Sequence, residues 1–497
     1  MRTIQQYAKR LLTQPAFWLI AIPAILLIRL WILGRLEPVL SPDSPSYVAP
    51  YYNGSSLSAL LSATRTFGYP LFLKVVTSFN LGKQSIPVAQ VAAFVVATWT
   101  FYWGLRQAGY RKWTATWCAC SLFLSPALLR WSIYVLSDCL AMAWAVANTG
   151  CFLALCSSQS KNRSLAWCGF VATTFATYQT RPAYLFLIVL WPMLYWLLFS
   201  LHAKHARTPW SRLQSSIQVA AATTIPFVAW CTLRLVVVGH WGLVSYGSFG
   251  LIGICGQFVD SGTVAELPAD LRPFAERIIA RRSAFKAAPK SFGYDRYVTG
   301  TSHFAATENL NPTIFAMCSP AAEDLYCQSS TKWGLKRRWS MSAETDMMKI
   351  NNKCTLLSFE ILKIRPALYG RWIVGNLRMA AERLTRLAAS SKASILLMGI
   401  FVVSHYLVLR NSPVTVASCA GLPRPEPRSI TLERHLVFWI AIGFAAFKTS
   451  LVILVQPAMD RFMSASGLLL PAAAAVAVAI YLEANFPRIA GVFETPN

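Results

Sequence analysis

Residues 17–34 read FWLIAIPAILLIRLWILG, an apolar run of 18 residues with a single charge at Arg29. A helix needs about 20 apolar residues to cross a bilayer. The run is too long for the hydrophobic core of a signal peptide, and it is not followed by a small-residue cleavage site. It therefore predicts a retained first transmembrane helix, preceded by a cytoplasmic N-terminus that carries Arg2, Lys9 and Arg10.

Similar apolar runs recur along the chain. Of its 497 residues, 55% are hydrophobic and only 13% are charged, which excludes an ordinary soluble globular protein. We predict an all-α polytopic membrane protein with about ten transmembrane helices, in a range of roughly 9–13. The predicted helices cover residues 17–34, 86–105, 114–129, 135–156, 165–178, 182–200, 215–238, 393–409, 435–456 and 463–482.

The net charge of +26 has two explanations. A nucleic-acid partner would suit it, but no nucleic-acid-binding motif accompanies the charge. The alternative is the positive-inside rule, with basic cytoplasmic loops and contact with anionic membrane lipids. If the N-terminus is cytoplasmic and the connections alternate between the two sides, the short basic connections at residues 106–112, 161–163, 204–212 and 410–434 all fall on the cytoplasmic side, as that rule requires. We therefore predict no nucleic-acid partner and place both termini in the cytoplasm.

Two long segments fall on the outer side, and they divide the chain. An N-terminal transmembrane module, residues 1–239, contains the first outer loop at 35–85. An extracytoplasmic insertion, 240–392, is longer than an ordinary loop, and such loops are usually functional or separately folded. Residues 393–497 supply the C-terminal transmembrane helices.

Both outer segments contain a predicted interfacial helix. In the first loop, Gly68–Leu73 begins a helix that is followed by Lys74 and Lys83. In the insertion, Ile364–Ala389 places Arg371, Arg378, Arg383 and Arg386 among apolar residues, an amphipathic pattern that suits a membrane surface.

The twelve cysteines show no C-x-x-C pair of the kind that binds structural zinc. Most lie in apolar runs and are predicted to be small core residues. In an extracytoplasmic insertion a disulfide between Cys318 and Cys327 is the favoured pairing, and one between Cys255 and Cys354 is the alternative.

Carboxylates are scarce outside the insertion. Only Glu37, Asp43, Asp138 and Asp460 fall at the outer side by this topology. Asp43 lies a few residues beyond the first helix, where a catalytic base at the bilayer edge would sit. The simpler alternatives are a turn-forming role for Asp43, an N-cap role for Asp138 and a local ion pair between Asp460 and its neighbour.

Six cations also gather near outer helix ends, against the positive-inside bias. They are Arg29, Arg130, Arg181, Arg234, Lys448 and Arg461. Charges inside a membrane are costly and usually face a cavity or a partner. A bound phosphate would explain the group, since arginine offers it bidentate hydrogen bonds and lysine a point charge. The alternative is that the long side chains extend individually to the interface.

Five short motifs resemble the GT-C glycosyltransferases. They are Pro42–Tyr47, Arg65–Phe72, Leu136–Asp138, Thr180–Pro182 and Asp460–Phe462. The pattern is most similar to the bacterial polyprenyl-phosphate-sugar-dependent transferases related to protein O-mannosyltransferases and the lipid A aminoarabinose transferase. The motifs span most of the membrane part of the chain. The insertion at 240–392 resembles no known family.

The resemblance implies an enzyme of the bacterial inner membrane that moves a sugar from a polyprenyl-phosphate donor to a lipid, glycan or protein acceptor at the periplasmic face. It implies that Asp43 is the general base and that transfer inverts the anomeric carbon. Three cations would hold the donor phosphate: Arg181, Lys448 and Arg461. The other implied substrate-binding residues are Tyr47, Arg65 and Tyr69.

One departure from the family pattern concerns the neighbour of Asp43. Some relatives carry an acidic residue there, whereas this chain has Ser44. Asp138 is then the best candidate for a second catalytic carboxylate. If a divalent cation, Mg²⁺ or Mn²⁺, takes part, Asp43 and Asp138 would be its ligands; a metal-free base remains the alternative.

Two other functions fit parts of the pattern. A relative of O-antigen ligases or polymerases would use a diphosphate donor and carry its main residues in the late loop, whereas the acidic residue here is in the first loop. A lipid-phosphate flippase or transporter would also need a cation-lined cavity. It would gain little from an outer-loop carboxylate, and the sequence shows no internal repeat of the transporter kind.

Overall fold

The computed structural model describes residues 14–41, 43–48, 61, 65–157, 162–201, 209–244, 247–287, 313–326, 341–390, 436–456 and 458–485. Regular structure in these residues is helical, apart from one parallel bridge between Val39 and Tyr134. Because the described chain is helical and rich in apolar segments, the predicted all-α class is confirmed.

The helices up to residue 238 are α1 (Pro15–Ile32), α2 (Pro45–Val48), α3 (Gly68–Ser78), α4 (Ser85–Gln107), α5 (Lys112–Ser121), α6 (Pro126–Trp131), α7 (Ser137–Cys156), α8 (Arg163–Thr180), α9 (Leu187–Leu201) and α10 (Pro209–Val238). Those that follow are α11 (Ser248–Cys255), α12 (Ser261–Glu266), α13 (Arg272–Ala287), α14 (Ser319–Tyr326), α15 (Met341–Ile364), α16 (Pro366–Ser390), α17 (Leu436–Val455), α18 (Asp460–Ser466) and α19 (Leu470–Asn485).

Four of the described helices are long and apolar enough to cross a membrane. They contain the segments Ser85–Gln107, Ser137–Cys156, Leu213–Val238 and Leu436–Val455. Three shorter apolar segments, Ala16–Ile32, Pro182–Leu198 and Leu470–Ala479, also lie where spans were predicted. The span predicted at 393–409 lies outside the described residues.

Two spans predicted as continuous helices are interrupted, so those two predictions were wrong. The segment 114–129 divides into α5, a 3-10 turn and α6, because α6 begins at Pro126, which has no N–H to continue a helix. The segment 463–482 divides into α18 and α19 at Gly467.

Helix α7 lies at the centre of the membrane part and is buried over most of its length. It packs closely on α4, where Gly104 and Gly150 allow the two backbones to touch. On another side, Asn148 donates to the Phe170 carbonyl of α8 at 3.0 Å and accepts from the indole N–H of Trp191 in α9 at 2.6 Å. These contacts give α7 a fixed orientation, and α7 carries Asp138.

The first outer loop is attached to the segment that precedes α7. Val39 donates to the Ile133 carbonyl at 2.8 Å and accepts from the Val135 amide at 3.0 Å. Further along the loop, α3 has 11 residues, or about 16 Å at 1.5 Å per residue, which is too short to cross a bilayer. A short helix in this loop agrees with the predicted interfacial helix.

The insertion has a hydrophobic core of its own. Its members come from α11 to α16 and include Phe249, Phe274, Ile350 and Trp372. Cys255, Cys318 and Cys354 are buried there as free thiols, so the alternative Cys255–Cys354 disulfide is absent from the structure. The preferred partner of Cys318, Cys327, lies outside the described residues, and that disulfide stays a prediction.

Helix α16 corresponds to the amphipathic segment predicted at 364–389. Its apolar side packs on protein, since Trp372 joins the insertion core and Ala380 packs with Val452 and Met463 of the C-terminal helices. Arg371 and Arg378 lie on the exposed side. The amphipathic pattern therefore includes contact with the C-terminal helices, and the exposed side also carries the apolar residues Val374 and Leu377.

The α4–α7 contact leads to a test of the packing. A Cβ added at Gly104 would lie 2.0 Å from the Gly150 carbonyl oxygen, so Gly104→Ala should lower the melting temperature of the purified protein, with overpacking costing about 1–3 kcal/mol. Gly370→Ala is the matched control, because nothing lies within 4 Å of its added Cβ and helix propensity favours alanine. Equal melting temperatures for Gly104→Ala and the unmodified protein would contradict the close contact.

Candidate active site

Asp43 sits in a turn whose shape comes from neighbouring serines. The Ser44 hydroxyl donates to the Val135 carbonyl at 2.9 Å, and the Ser46 hydroxyl donates to the Asp43 carbonyl at 2.5 Å. The Asp43 amide donates to the Ser41 hydroxyl at 3.3 Å. In this arrangement the Asp43 carboxylate makes its bonds to arginines and does not close the turn, which favours a functional role over the turn-forming alternative.

Arg461 lies between the two candidate carboxylates and binds both. Its Nη1 donates to Asp43 Oδ2 at 2.9 Å, while its Nε and Nη2 donate to Asp138 Oδ2 at 3.0 and 2.7 Å. This one guanidinium therefore joins the first outer loop, the start of α7 and the start of α18.

Asp138 is buried and binds a second arginine. Its side chain is 1% exposed and forms an ion pair with Arg181, which follows α8. The N-cap of α7 is Leu136, and no side chain caps that end. The N-cap alternative for Asp138 is therefore wrong in this structure, because its carboxylate oxygen binds guanidinium groups.

Arg65 holds the other side of Asp43. Its Nη2 donates to Asp43 Oδ1 at 3.0 Å and its Nε to the Ser46 hydroxyl at 2.8 Å. The guanidinium carbon lies 4.8 Å from the ring centroid of Tyr47, a cation–π distance. Tyr47 is in turn hydrogen-bonded to Ser137 at 3.0 Å. Arg65 and Tyr47 thus connect the loop to the residue before Asp138.

Tyr69 is buried beside this group. Its ring meets that of Tyr47 edge-on, with centroids 5.1 Å apart. Its hydroxyl lies beside the backbone of Leu136, the residue just before α7.

Lys448 is also buried in this cluster and comes from α17. It is 1% exposed, and its Nζ has no hydrogen-bond partner in the described part of the chain. Its Nζ atom lies 3.6 Å from the ring centroid of buried Tyr184. In its protonated form this amine offers three donors to an anion.

Counted over these described side chains, three arginines and Lys448 face two carboxylates. The arginines are Arg65, Arg181 and Arg461. One positive charge is therefore left uncompensated inside the cluster, and a second when Lys448 is protonated, which favours an anionic ligand over a cationic one.

The two carboxylates differ in access. The side chain of Asp43 is 41% exposed, whereas that of Asp138 is 1% exposed. Burial raises the pKa of Asp43, but the nearby guanidinium groups of Arg65 and Arg461 outweigh it and hold the pKa below its usual range. Asp43 is therefore ionised and reachable, while Asp138 is enclosed by Arg181 and Arg461.

The other predicted cations play different parts. Arg234 is buried and donates to the backbone carbonyls of Leu61 (2.6 Å) and Gly242, which is a structural role. Arg29 and Arg130 are exposed. The side chain of Asp460 lies outside what the structure describes, so its proposed ion pair stays a prediction.

The pair Asp43 and Asp138 does not suit a divalent cation in this arrangement. Both oxygens of Asp43 and one of Asp138 accept from guanidinium groups, and Arg461 occupies the space between the carboxylates. The described residues also contain no group of three or more His, Cys, Asp or Glu side chains that could hold a metal.

Some residues of the cluster were not identified from the sequence. Ser46 and Ser137 bind Arg65 and Tyr47, and both stand beside a predicted site residue, which is the signal that could have found them. Tyr184 follows Arg181 by three positions but carried no signal, because only the packing of α17 places Lys448 on its ring.

Comparisons with known proteins add one structural similarity. No family model matches the chain, and the search of curated proteins returned no match. The crystal structure of ArnT from Cupriavidus metallidurans bound to undecaprenyl phosphate matches at 15% identity, covering 95% of this chain and 80% of that chain, with a TM-score of 0.35. At that TM-score the two folds overlap only loosely.

The arginines around Asp43 lead to a pH test. Arg65→Gln removes one cation from Asp43, so the pKa of the carboxyl should rise. A base must be ionised to accept a proton, and activity is lost as pH falls through that pKa. If Asp43 is a catalytic base, the acidic limb of the pH–activity profile should move to higher pH in Arg65→Gln. Arg29→Gln, an exposed cation, is the control; identical limbs in both variants would contradict the role of Asp43.

Proposed function

We propose that the protein is a membrane glycosyltransferase that moves a sugar from a polyprenyl-phosphate donor to an acceptor hydroxyl. The observation that carries this proposal is the bridge from Arg461 to Asp43 and Asp138, in a cluster where positive charge exceeds negative charge. It supplies a reachable carboxylate beside a site for an anion, at the ends of membrane helices.

In the proposed reaction Asp43 accepts the proton of the acceptor hydroxyl. The acceptor oxygen forms a bond to the anomeric carbon while the bond from that carbon to the phosphate oxygen breaks. Because the nucleophile enters as the leaving group departs, a single displacement inverts the anomeric configuration. The polyprenyl phosphate leaves with the electron pair of the broken bond.

The surplus charge suits the departing group better than the donor. A sugar linked to a polyprenyl phosphate has one negative charge on its phosphodiester, whereas the released phosphate monoester has up to two. Arg181, Lys448 and Arg461 would therefore bind more strongly as the bond breaks, and an interaction that strengthens in the transition state accelerates the reaction.

The position of the cluster is consistent with a lipid-linked substrate. Lys448 lies in α17, which is long enough to span a membrane, while Asp43 lies in the loop after α1. A polyprenyl tail could remain among the helices while its phosphate reaches the cations. By the distribution of basic loops, the cluster faces the periplasm of a bacterial inner membrane and both termini face the cytoplasm.

The proposed reaction uses no metal, because guanidinium groups already neutralise the oxygens of Asp43 and Asp138. A flippase would use the same cations but would not need an accessible base. The sugar and the acceptor would be identified by mass spectrometry of envelope lipids and glycans in a strain lacking the protein.

The first test concerns the base. Asp43→Asn keeps the size of the side chain but cannot accept a proton, so it should lower the rate of transfer by about 10²–10⁴-fold, the usual contribution of general-base catalysis. The assay is transfer by purified protein from the donor identified in the deletion strain. Glu37→Gln, an exposed outer carboxylate in the same loop, should retain full activity. Near-normal transfer by Asp43→Asn would overturn the proposed mechanism.

The second test concerns the anion site. Lys448→Met removes the charge and keeps most of the volume, and it leaves no hydrogen-bond partner stranded. Undecaprenyl phosphate is a suitable probe, with binding measured in nanodiscs. We expect a roughly ten-fold or larger loss of affinity, since a hydrogen bond to a charged group contributes about 1.5–3 kcal/mol. Arg29→Gln should bind as the unmodified protein does, and equal affinity in Lys448→Met would show that the phosphate is held elsewhere.

A further inference from the structure

We propose that helix α16 of the insertion positions Arg461 for binding the lipid phosphate, through side-chain hydrogen bonds to the segment that joins α17 to α18. Tyr369, Trp372 and Asn376 are the positioning residues. This inference rests on the proposed function and adds a role for the insertion, which the mechanism above does not use.

The segment concerned connects two cations of the cluster. Lys448 lies seven residues before the end of α17 at Val455, and Arg461 is the second residue of α18. Only residues 456–459 separate the two helices. The distance between the two cations therefore depends on how α17 ends and how α18 begins.

Two side chains of α16 bind the end of α17. The indole N–H of Trp372 donates to the Ile453 carbonyl at 2.9 Å, and the Tyr369 hydroxyl donates to the Leu454 carbonyl at 2.7 Å. The last carbonyls of a helix have no partner within it, so these bonds satisfy groups that would otherwise be unpaired. They fix the last turn of α17 against the insertion.

A third side chain binds the connection itself. Asn376 Oδ1 accepts from the Ala458 amide at 3.0 Å, and its Nδ2 donates to the Trp372 carbonyl at 3.1 Å. Asn376 is fully buried. Residues 369, 372 and 376 are three and four positions apart, so they lie along one face of α16. That face thus holds both ends of the turn that leads to Arg461.

The insertion reinforces this contact in two further places. A Cβ at Gly250 of α11 would lie 2.4 Å from the Val455 carbonyl oxygen, so α11 also abuts the end of α17. Trp372 belongs to the core of the insertion, while Ala380 packs with Ala458 and Met463. The fold of the insertion is therefore connected to α18 through packed side chains.

Arg461 can bind both carboxylates only if the start of α18 is held in place. Its guanidinium must reach carboxylates on two other elements at 2.7–3.0 Å, and small displacements of a binding group can cost two orders of magnitude in rate. None of the three residues of α16 is bonded to the charged cluster in the structure. We expect their effect on a ligand to pass through Arg461, the cation nearest in sequence to the segment that they bind.

A double-mutant cycle tests this coupling, with binding of undecaprenyl phosphate to the full-length protein in nanodiscs as the measurement. Asn376→Ala, and separately Tyr369→Phe, should weaken binding by roughly five- to ten-fold when Arg461 is present. In an Arg461→Gln background the same changes should weaken it less than about two-fold, because the group they position is gone. Tyr369→Phe removes one hydroxyl and keeps the ring, so it preserves the packing of the insertion.

The control is Val374→Ala, on the exposed side of the same helix, which should bind normally. Equal weakening in both backgrounds would show a general structural effect and overturn the inference. Unchanged binding in Asn376→Ala and Tyr369→Phe would also overturn it and would leave the proposed function intact. Unchanged binding in Arg461→Gln alone would instead remove the proposed phosphate site, and the inference with it.

Discussion

The contact of Arg461 with Asp43 and Asp138 is the interaction on which the site depends. Asp138 is buried, and a buried carboxylate is strongly unfavourable unless it is paired and hydrogen-bonded. Arg461 and Arg181 satisfy that requirement from two different elements. The same guanidinium also binds Asp43. The pairing that buried Asp138 requires therefore helps to fix the position of the Asp43 carboxylate.

The rest of the fold keeps the members of this contact in place. The bridge at Val39 attaches the first outer loop to the segment before α7, and the close approach of α4 fixes α7 itself. On the side of the insertion, α16 donates hydrogen bonds to two of the last carbonyls of α17 and accepts one from the Ala458 amide. The elements that carry Asp43, Asp138, Lys448 and Arg461 are thus supported by backbone hydrogen bonds or packing outside the cluster.

The balance of charge connects this architecture to chemistry. A cluster that served stability alone would be expected to match its charges, because every uncompensated buried charge is costly. Here Lys448 is buried on the ring of Tyr184 without a hydrogen-bond partner among the described residues, and Asp43 remains partly exposed. The first property favours an anionic ligand, and the second leaves a carboxylate available to a reacting hydroxyl.

The sequence alone determined the helical membrane class and the short list of candidate cations, because hydrophobicity and charge act locally along the chain. It also predicts an outer position for Asp43. The pairing of Arg461 with Asp138, 323 positions away, was decided by tertiary structure. So were the separation of Arg234 from that group and the contact of α16 with α17. A motif shows which side chains are available, but their partners depend on how distant helices pack, and packing is a property of the whole chain.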